Sequence, residues 1–386
     1  MPSAELVCPG CKLMAPPDTS PLACHVCGGP LDATIDLPRL EYGIDALIDN
    51  KAPGVWRYRR VMALESNLPH ISLGEGRTPI IELGLWGFQH GLSKCRAKLE
   101  FMAPTGSFKD RGAATVIASL KASGVTRIVE DSSGNAGAAM AAYAARAGLS
   151  AEIYVPDATP GAKVNQITAY GATVHRVAGA REQVATAAWE AAQSPSVAYA
   201  SHSQHPAFIE GTKSFALELL DAGPQLMPHH IVFPVGNGGL ILSTYKMLTE
   251  LQRAGLTFRM PRLHIAQAKT CAPLVEAFRT GSHQPVVIDP QPTIAGGIAV
   301  AAPVRGTSIL AAARGTGGVA TLVTDQEISD VQASLAREEG LFIEATSATA
   351  FAAAVRLRAE GAIAHGETLL VPATGSGLKD QLWHHS

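Results

Sequence analysis

The chain has 386 residues, of which 47% are hydrophobic and 17% charged, and its formal net charge is −2. A chain of this length holds about two to three domains. The balanced charge gives no basic surface for nucleic acid or for an anionic membrane, so we expect neither as a partner. No apolar run approaches the roughly 20 residues that span a bilayer, and the amino terminus lacks the features of a secretory signal. We expect a cytoplasmic protein with a small-molecule substrate.

The amino-terminal segment contains two Cys-x-x-Cys pairs separated by a twelve-residue loop, formed by Cys8, Cys11, Cys24 and Cys27. This spacing is typical of a zinc ribbon, because each pair can place two thiolates on one tetrahedral ion. A segment this short has too small a core to fold without such an ion. The alternative is a set of redox or incidental cysteines, but tandem pairs rarely serve redox chemistry. We expect a structural zinc ion, and ordinary buried thiols at Cys95 and Cys271.

From residue 94 onward, β-rich runs alternate with alanine-rich stretches of helical character. The predicted strands are residues 127–130, 151–155, 173–177, 197–200, 231–235, 263–266, 320–323 and 368–371. This alternation favours βαβ units and parallel sheets. Glycine-rich segments directly follow three of the strands, and ligands bind at the carboxyl ends of strands in open α/β sheets. We therefore expect these segments to converge on one crevice.

Lys109 lies in the segment APTGSFKDRG, residues 103–112, after a tight turn and before a helix-forming run at residues 113–122. A primary amine in this position can form a Schiff base with a carbonyl group. A solvated lysine at a helix start is the ordinary alternative. The neighbouring motifs decide between the two.

Two glycine-rich segments have the features of anion sites. In SSGNAG, residues 132–137, the backbone amides precede a predicted helix at 137–147 and can bind a carboxylate; Ser133 as a helix N-cap is the alternative and is compatible with that role. In VGNGGL, residues 235–240, glycine amides before a predicted helix at 241–251 can cradle a phosphate. Such a turn is common in α/β proteins. The prediction of a phosphate site therefore depends on its position directly after a strand.

Together with TGSGLKD, residues 374–380, these segments resemble the pyridoxal-phosphate (PLP) enzymes of fold type II, and threonine synthase most closely. The resemblance covers residues 54–380. It implies an α/β fold of two open parallel-sheet domains with the cofactor between them, in addition to the small zinc ribbon. We predict a ribbon-like segment at 1–35, a large PLP-binding domain at 36–112 and 202–386, and a small α/β domain at 113–201. Enzymes of this fold type are often dimers, which implies a homodimer.

The resemblance also implies roles for single residues. Lys109 would bind PLP covalently and act as the base, Asn135 would contact the ring hydroxyl, and Thr374 would meet the pyridine nitrogen. The substrate carboxylate would lie near Ser133, Gly134 and Ala136. The predicted cofactor set is Lys109, Phe108, Asn135, Val235, Gly236, Asn237, Gly238, Gly239, Leu240 and Thr374. A neutral hydroxyl at the ring nitrogen does not force its protonation, which suits elimination and replacement at the β or γ carbon.

The substrate-binding positions depart from threonine synthase, although LGEGRTP at 73–79 and SFKDRG at 107–112 match it well. The family's Asn-Ser-x-Asn-Pro-x-Arg-x-Glu-Gly is HSQHPAFIEG here, at residues 202–211, so Phe208 replaces the arginine. A guanidinium is a strong bidentate partner for phosphate, and its loss is costly. Arg181 is a candidate replacement. SSGNAG and TIAGGIAV, residues 293–300, look more like serine and threonine dehydratases.

We therefore predict a PLP-dependent lyase of the threonine synthase family, acting by elimination or replacement on a small amino acid with a β- or γ-oxygen leaving group. The alternatives are a true threonine synthase converting O-phosphohomoserine to threonine plus phosphate, a threonine or serine ammonia-lyase, and a non-catalytic homologue. The intact Lys109, Asn135, Gly236 and Thr374 argue against the last. Four histidines are predicted to be solvated or capping residues rather than ligands of a second metal ion: His202, His205, His229 and His230.

Overall fold

The computed structural model describes residues 5–15, 22–40, 43–179 and 181–380. The strands in these ranges are β1 Glu5–Val7, β2 Asp32–Thr34, β3 Ile80–Glu82, β4 Cys95–Lys98, β5 Arg127–Glu130, β6 Ser150–Pro156, β7 Thr173–Val177, β8 Val197–Tyr199, β9 His230–Pro234, β10 Arg262–Ala268, β11 Ala320–Val323 and β12 Leu369–Pro372. The helices are α1 Gly84–Gln89, α2 Lys109–Ala122, α3 Asn135–Ala147, α4 Gly161–Ala169, α5 Arg181–Ala191, α6 Pro206–Thr212, α7 Ser214–Asp221, α8 Gly239–Arg253, α9 Pro273–Arg279, α10 Gly306–Gly315, α11 Asp325–Glu338 and α12 Ala345–Ala359.

All the predicted strands are confirmed, each within two residues of its predicted bounds. The strands that were not predicted, β1 to β4, all precede α2, the first alanine-rich helix. The alternation of β-rich and alanine-rich runs therefore did not indicate them. Among the described residues, every helix is too short or too polar to span a bilayer.

The chain divides into two compact units. Unit 1 comprises Met1–Arg77 and Ala103–Ser214, and unit 2 comprises Thr78–Met102 and Phe215–Ser386. This grouping differs from the predicted domains, in which residues 36–77, 103–112 and 202–214 belonged with the large domain. The physical reason is that α2 packs against α3 and α6 and so holds its own start within unit 1.

Unit 1 contains a four-stranded parallel sheet in the order β7-β6-β5-β8. Its central strands bury Ile128 and Ile153 completely. The helix α3 packs on β5 and β6, and α5 packs against all four strands. Most of the buried residues of α3 are alanines, and small side chains allow a helix to lie close to its neighbours.

The amino-terminal segment adds a two-stranded antiparallel sheet to unit 1, with Leu6 opposite Ala33. Leu31 is completely buried there, in a small core with Cys8 and Cys24. Leu22 packs instead with Val129 and Tyr199 of the four-stranded sheet. Leu22, two residues before Cys24, is therefore anchored on the four-stranded sheet.

Unit 2 contains a six-stranded sheet in the order β11-β10-β9-β12-β4-β3, parallel except for the pair β3 and β4. The alanine-rich helix α12 packs against β9, β10, β11 and β12. Its Phe351 meets Trp86 edge to face at a centroid distance of 5.8 Å in the core. The strands β9 and β12 are parallel neighbours, so the segments that follow them leave the sheet at the same edge.

Candidate active site

Lys109 is the first residue of α2, and a turn with Gly106 at φ +81° leads into it. Asp110 closes this turn, because its carboxylate accepts hydrogen bonds from the backbone N–H of Thr105 at 2.8 Å and from the Thr105 hydroxyl. Asp110 is completely buried. Charge-assisted bonds of this kind fix the turn and the helix start. Lys109 therefore has a defined, half-buried position rather than that of a fully solvated helix lysine.

The amine of Lys109 lies against two aromatic rings. Its Nζ is 4.9 Å from the ring centroid of Phe108 and 5.5 Å from that of Phe208. Both distances are in the range of cation–π contacts. Phe208, which stands where the resembled family has an arginine, is thus a neighbour of the predicted reactive amine.

Phe208 is held by close packing of α6 on α2. It is 1% exposed, and a Cβ added to Gly112 of α2 would lie 2.4 Å from its ring. A Cβ on Gly211 of α6 would likewise lie 2.2 Å from the carbonyl oxygen of Arg111. The two glycines allow the helices to approach this closely, and the approach fixes the phenyl ring beside Lys109.

The predicted carboxylate-binding segment joins β5 to α3. The helix begins at Asn135, two residues before the predicted start, and its N-cap is Gly134, so the alternative role of Ser133 as N-cap is wrong. A Cβ on Gly137 would lie 1.9 Å from the carbonyl oxygen of Ser132, which explains why a glycine stands there. The first N–H groups of a helix have no intrahelical acceptor. The backbone of Ser133, Gly134 and Ala136 therefore fits the carboxylate role, which stays a prediction.

A buried acid–histidine pair lies beside this segment, and no sequence motif had indicated it. Glu130 ends β5, and its Oε1 is 2.6 Å from Nδ1 of His202, which follows β8. The two side chains are 0% and 8% exposed. The prediction that His202 is solvated or capping is therefore wrong, whereas His205 does cap α6 by accepting a hydrogen bond from the N–H of Ala207 at 3.2 Å.

The predicted phosphate loop of unit 2 connects β9 to α8. A Cβ on Gly236 would lie 3.0 Å from Cα of Ile298, and one on Gly238, at φ +70°, would lie 2.3 Å from Cδ1 of Ile309. Within the described part of the chain, the backbone N–H groups from Gly236 to Gly239 donate to no protein acceptor. Unpaired amides at the positive end of a helix suit an anion. The loop therefore fits the phosphate of PLP.

Thr374 follows β12, the sheet neighbour of β9, so this predicted residue and the phosphate loop lie at the same edge of the sheet. It is buried, and its hydroxyl lies 2.8 Å from the Ser347 hydroxyl. Ser347 also accepts a hydrogen bond from the N–H of Gly375 at 2.8 Å. Ser347 thus positions the predicted ring-nitrogen partner. Glu344, at the start of the same helix, is the N-cap residue of α12.

The motif LGEGRTP contributes an anchor rather than an exposed group. Glu75 is completely buried, and its carboxylate accepts hydrogen bonds from the Ser72 hydroxyl at 3.0 Å and from the Tyr143 hydroxyl at 2.7 Å. Burial, together with the negative charges of Asp110 and Glu75, raises the pKa of Tyr143 well above its usual value. Tyr143 therefore stays protonated and donates, which ties this motif to α3.

The cysteine cluster is the candidate metal centre. The sulfur atoms of Cys8, Cys11, Cys24 and Cys27 all lie within 4.8 Å of one another, and those of Cys8 and Cys27 are 3.5 Å apart. Tetrahedral zinc with Zn–S bonds of about 2.3 Å requires S–S separations of roughly 3.8 Å, so the cluster fits this ion. Cys95 and Cys271 are buried single thiols, as predicted.

Solved structures define the class of fold. Maize serine racemase superposes with a TM-score of 0.67 at 22% identity, covering 78% of this chain and 88% of that one. The processed form of threonine deaminase isoform 2 from Solanum lycopersicum gives 0.66 at 21% identity, covering 78% and 83%. At these identities the likeness concerns the fold alone. The protein thus has the α/β architecture of fold type II PLP enzymes.

Sequence comparison identifies the family. The family model described as pyridoxal-phosphate dependent enzyme matches residues 71–375. Threonine synthase from Methanocaldococcus jannaschii is 33% identical over 356 residues, covering 92% of this chain and 88% of the relative. That from Mycobacterium leprae is 34% identical over 330 residues, covering 85% and 89%. The chain belongs to the PLP-dependent enzymes and, within them, to the threonine synthase family. It is a PLP-dependent lyase, so the non-catalytic alternative is dropped.

Proposed function

We propose that the enzyme catalyses elimination or replacement on a small amino acid whose β- or γ-oxygen leaving group carries no phosphate. The observation that carries this proposal is Phe208. Its buried ring lies 5.5 Å from Nζ of Lys109, at the position where the resembled family has an arginine. An aromatic face offers a phosphate dianion neither a hydrogen bond nor a positive charge.

The proposed roles follow the chemistry of each group. Bound PLP withdraws electrons from the α carbon of an amino acid and so makes its proton acidic. Lys109 holds the cofactor and then accepts that proton at Nζ. The amides of Gly236 to Gly239 bind the phosphate of PLP, and the Thr374 hydroxyl meets the ring nitrogen. Asn135 contacts the ring hydroxyl, and the backbone of Ser133, Gly134 and Ala136 binds the substrate carboxylate.

A second candidate is threonine synthase itself, acting on O-phosphohomoserine. It is favoured by relatives of that name at 33% and 34% identity. This candidate requires another cation for the phosphate. Arg181 is the candidate from the sequence, and its side chain lies outside the described residues.

Product analysis of the PLP-loaded protein distinguishes the candidates. Serine, threonine, homoserine, their acylated forms and O-phosphohomoserine are each supplied, and phosphate, threonine, ammonia and 2-oxo acid are measured. Ammonia and a 2-oxo acid, or a replacement product, from an unphosphorylated substrate is the expected result. Phosphate plus threonine from O-phosphohomoserine would instead establish threonine synthase.

We also propose a structural zinc ion on the four clustered cysteines, and a cytoplasmic homodimer. The cysteine geometry supports the zinc ion. The oligomeric state and the compartment rest on the family resemblance and on composition. Sedimentation velocity of the loaded protein tests the dimer.

A further inference from the structure

The Glu130–His202 pair occupies a defined place in unit 1. β5 and β8 are adjacent parallel strands, with Val129 opposite Tyr199. Glu130 is the last residue of β5, and His202 follows β8 at the same edge of the sheet. This edge also carries Ser133 and Gly134, the predicted carboxylate binders.

The hydrogen bond fixes the tautomer of the imidazole. When Glu130 is ionised it is only an acceptor, and Nδ1 of His202 then carries the proton that it donates to Glu130 over 2.6 Å. Any bond from the imidazole to a ligand then falls to Nε2, which accepts when the ring is neutral and donates when it is protonated. The ring is thus oriented by Glu130.

Phe208 connects this pair to the reactive amine. The imidazole of His202 meets the phenyl ring of Phe208 at a centroid distance of 6.1 Å and an interplanar angle of 70°. The same phenyl ring lies 5.5 Å from Nζ of Lys109. His202 and Lys109 therefore both contact the ring of Phe208.

The charge of the pair selects the ligand. Burying a carboxylate costs free energy unless it is paired, and the charge that Glu130 brings to the imidazole is negative. A phosphate dianion would be repelled by Glu130 and by the π face of Phe208. An uncharged hydroxyl can instead donate to Nε2 or accept from it, and it carries no charge to oppose.

We propose that His202, oriented by Glu130, binds the side-chain hydroxyl of the substrate, and that the substrates are amino acids with a free β- or γ-hydroxyl. This assignment rests on the proposed function and adds the residue that hydrogen-bonds the leaving group. It makes Glu130 a positioning residue, acting through His202.

The test measures kcat and KM of the full PLP-loaded chain with serine, threonine and homoserine, each beside its O-phosphorylated form. His202→Phe removes the hydrogen bond, and His202→Gln retains a polar group that can contact both Glu130 and a hydroxyl. Because His202→Phe leaves Glu130 buried without this partner, the double variant Glu130→Leu with His202→Phe replaces both groups by apolar ones and protects the fold. His175→Phe is the matched control, since His175 pairs with Glu152 at 3.1 Å on the same sheet but is 39% exposed.

The expected result is turnover of hydroxy amino acids in preference to their phosphorylated forms. His202→Phe and the double variant lose about tenfold to hundredfold in kcat/KM, with a raised KM, and His202→Gln regains part of it. The visible absorbance of bound cofactor and the Tm of the double variant stay near those of the wild type. His175→Phe changes neither kinetic constant by more than about twofold.

Two results would overturn the proposal. One is a wild-type preference for phosphorylated substrates, and the other is an unchanged kcat/KM in the double variant. If the wild type binds PLP and turns over hydroxy amino acids while the double variant matches it, only the role of His202 fails. If the wild type turns over no oxygen-substituted amino acid, the proposed function fails as well.

Discussion

Phe208 and Gly112 share one small volume next to the predicted reactive lysine. Gly112→Ala would place a Cβ 2.4 Å from Cδ2 of Phe208, and overpacking of this kind costs roughly 1–3 kcal/mol. We expect the free energy of unfolding, measured in urea, to fall by that amount, and kcat/KM to fall because the ring moves. Gly161→Ala is the control, since a Cβ there meets nothing within 4 Å. Equal stabilities of the two variants would contradict this packing.

Residues of the site differ in how well the sequence predicts them. Lys109, Gly236 and Thr374 each belong to a short contiguous motif whose chemistry is evident from residue type. Glu130 and His202 are 72 positions apart and meet only because β5 and β8 are neighbours in the sheet. Hydrophobic patterning predicts that a strand exists but not which strand lies beside it, so this pair could not be found from the sequence.

The loop between β9 and α8 requires glycine for two separate reasons. Gly238 has φ +70°, and a Cβ there would lie 2.3 Å from Ile309. We expect Gly238→Ala to weaken PLP binding by at least about tenfold, because the clash displaces amides that bind the phosphate. Titration of the apoprotein with PLP, followed by absorbance, measures this.

Gly340→Ala is the matched control for that loop. Gly340 has a similar φ of +68°, but a Cβ there meets nothing within 4 Å. Both variants carry the cost of a left-handed backbone, about 1 kcal/mol, and only Gly238→Ala should lose cofactor affinity. A loss of affinity in both would mean that global destabilisation, not the loop, is responsible.

The opposite ends of β9 and β10 carry a buried histidine chain. Nδ1 of His264 accepts from the N–H of Val319 at 3.2 Å, its Nε2 lies 2.9 Å from Nδ1 of His230, and Nε2 of His230 lies 2.8 Å from Glu367. Each imidazole is therefore neutral with its proton on Nε2. The prediction that His230 is solvated or capping is wrong, because its side chain is completely buried.

This hydrogen-bonded histidine chain should make the free energy of unfolding depend on pH. Burial, assisted by His230, lowers the pKa of His264 from 6.5 to about 3. Below pH 6.5, His264 binds a proton in the unfolded protein but not in the folded one. The free energy of unfolding therefore falls from pH 6.5 towards about pH 3. The slope is up to about 1.4 kcal/mol per pH unit for one proton. Urea midpoints between pH 7 and 4 should show a shallower dependence on pH for His264→Gln than for the wild type. Identical slopes for the two proteins would contradict this assignment.

Across the full chain, the cysteine cluster predicts one zinc ion per polypeptide. Elemental analysis of the purified protein should give this ratio, and Cys24→Ser should abolish it, because a structural site needs all its ligands. Cys271→Ser is the control, since Cys271 is buried away from the cluster. A protein without zinc and with an unchanged Tm would show that the cysteines hold no metal.

The parallel α/β class was evident from alternating β-rich and alanine-rich runs, and the comparisons confirm it. The division of the chain into two units was harder to predict from the sequence, because it depends on which helices pack together. Gly112 and Gly211 let α2 and α6 approach, and this contact places residues 103–112 in unit 1. A glycine within a helix-forming run does not indicate which other helix packs against it.

Every role proposed for the site depends on PLP being bound to Lys109, and mapping the covalent attachment tests this binding directly. The loaded protein is reduced with borohydride, digested and analysed by peptide mass spectrometry, with Lys109→Ala and Lys121→Ala treated in parallel. Lys121 lies in the last turn of the same helix. We predict a pyridoxyl group on the peptide that contains Lys109, in the wild type and in Lys121→Ala, and none in Lys109→Ala. A pyridoxyl group on another lysine, or none on a folded and loaded wild type, would show that Lys109 is not the attachment site.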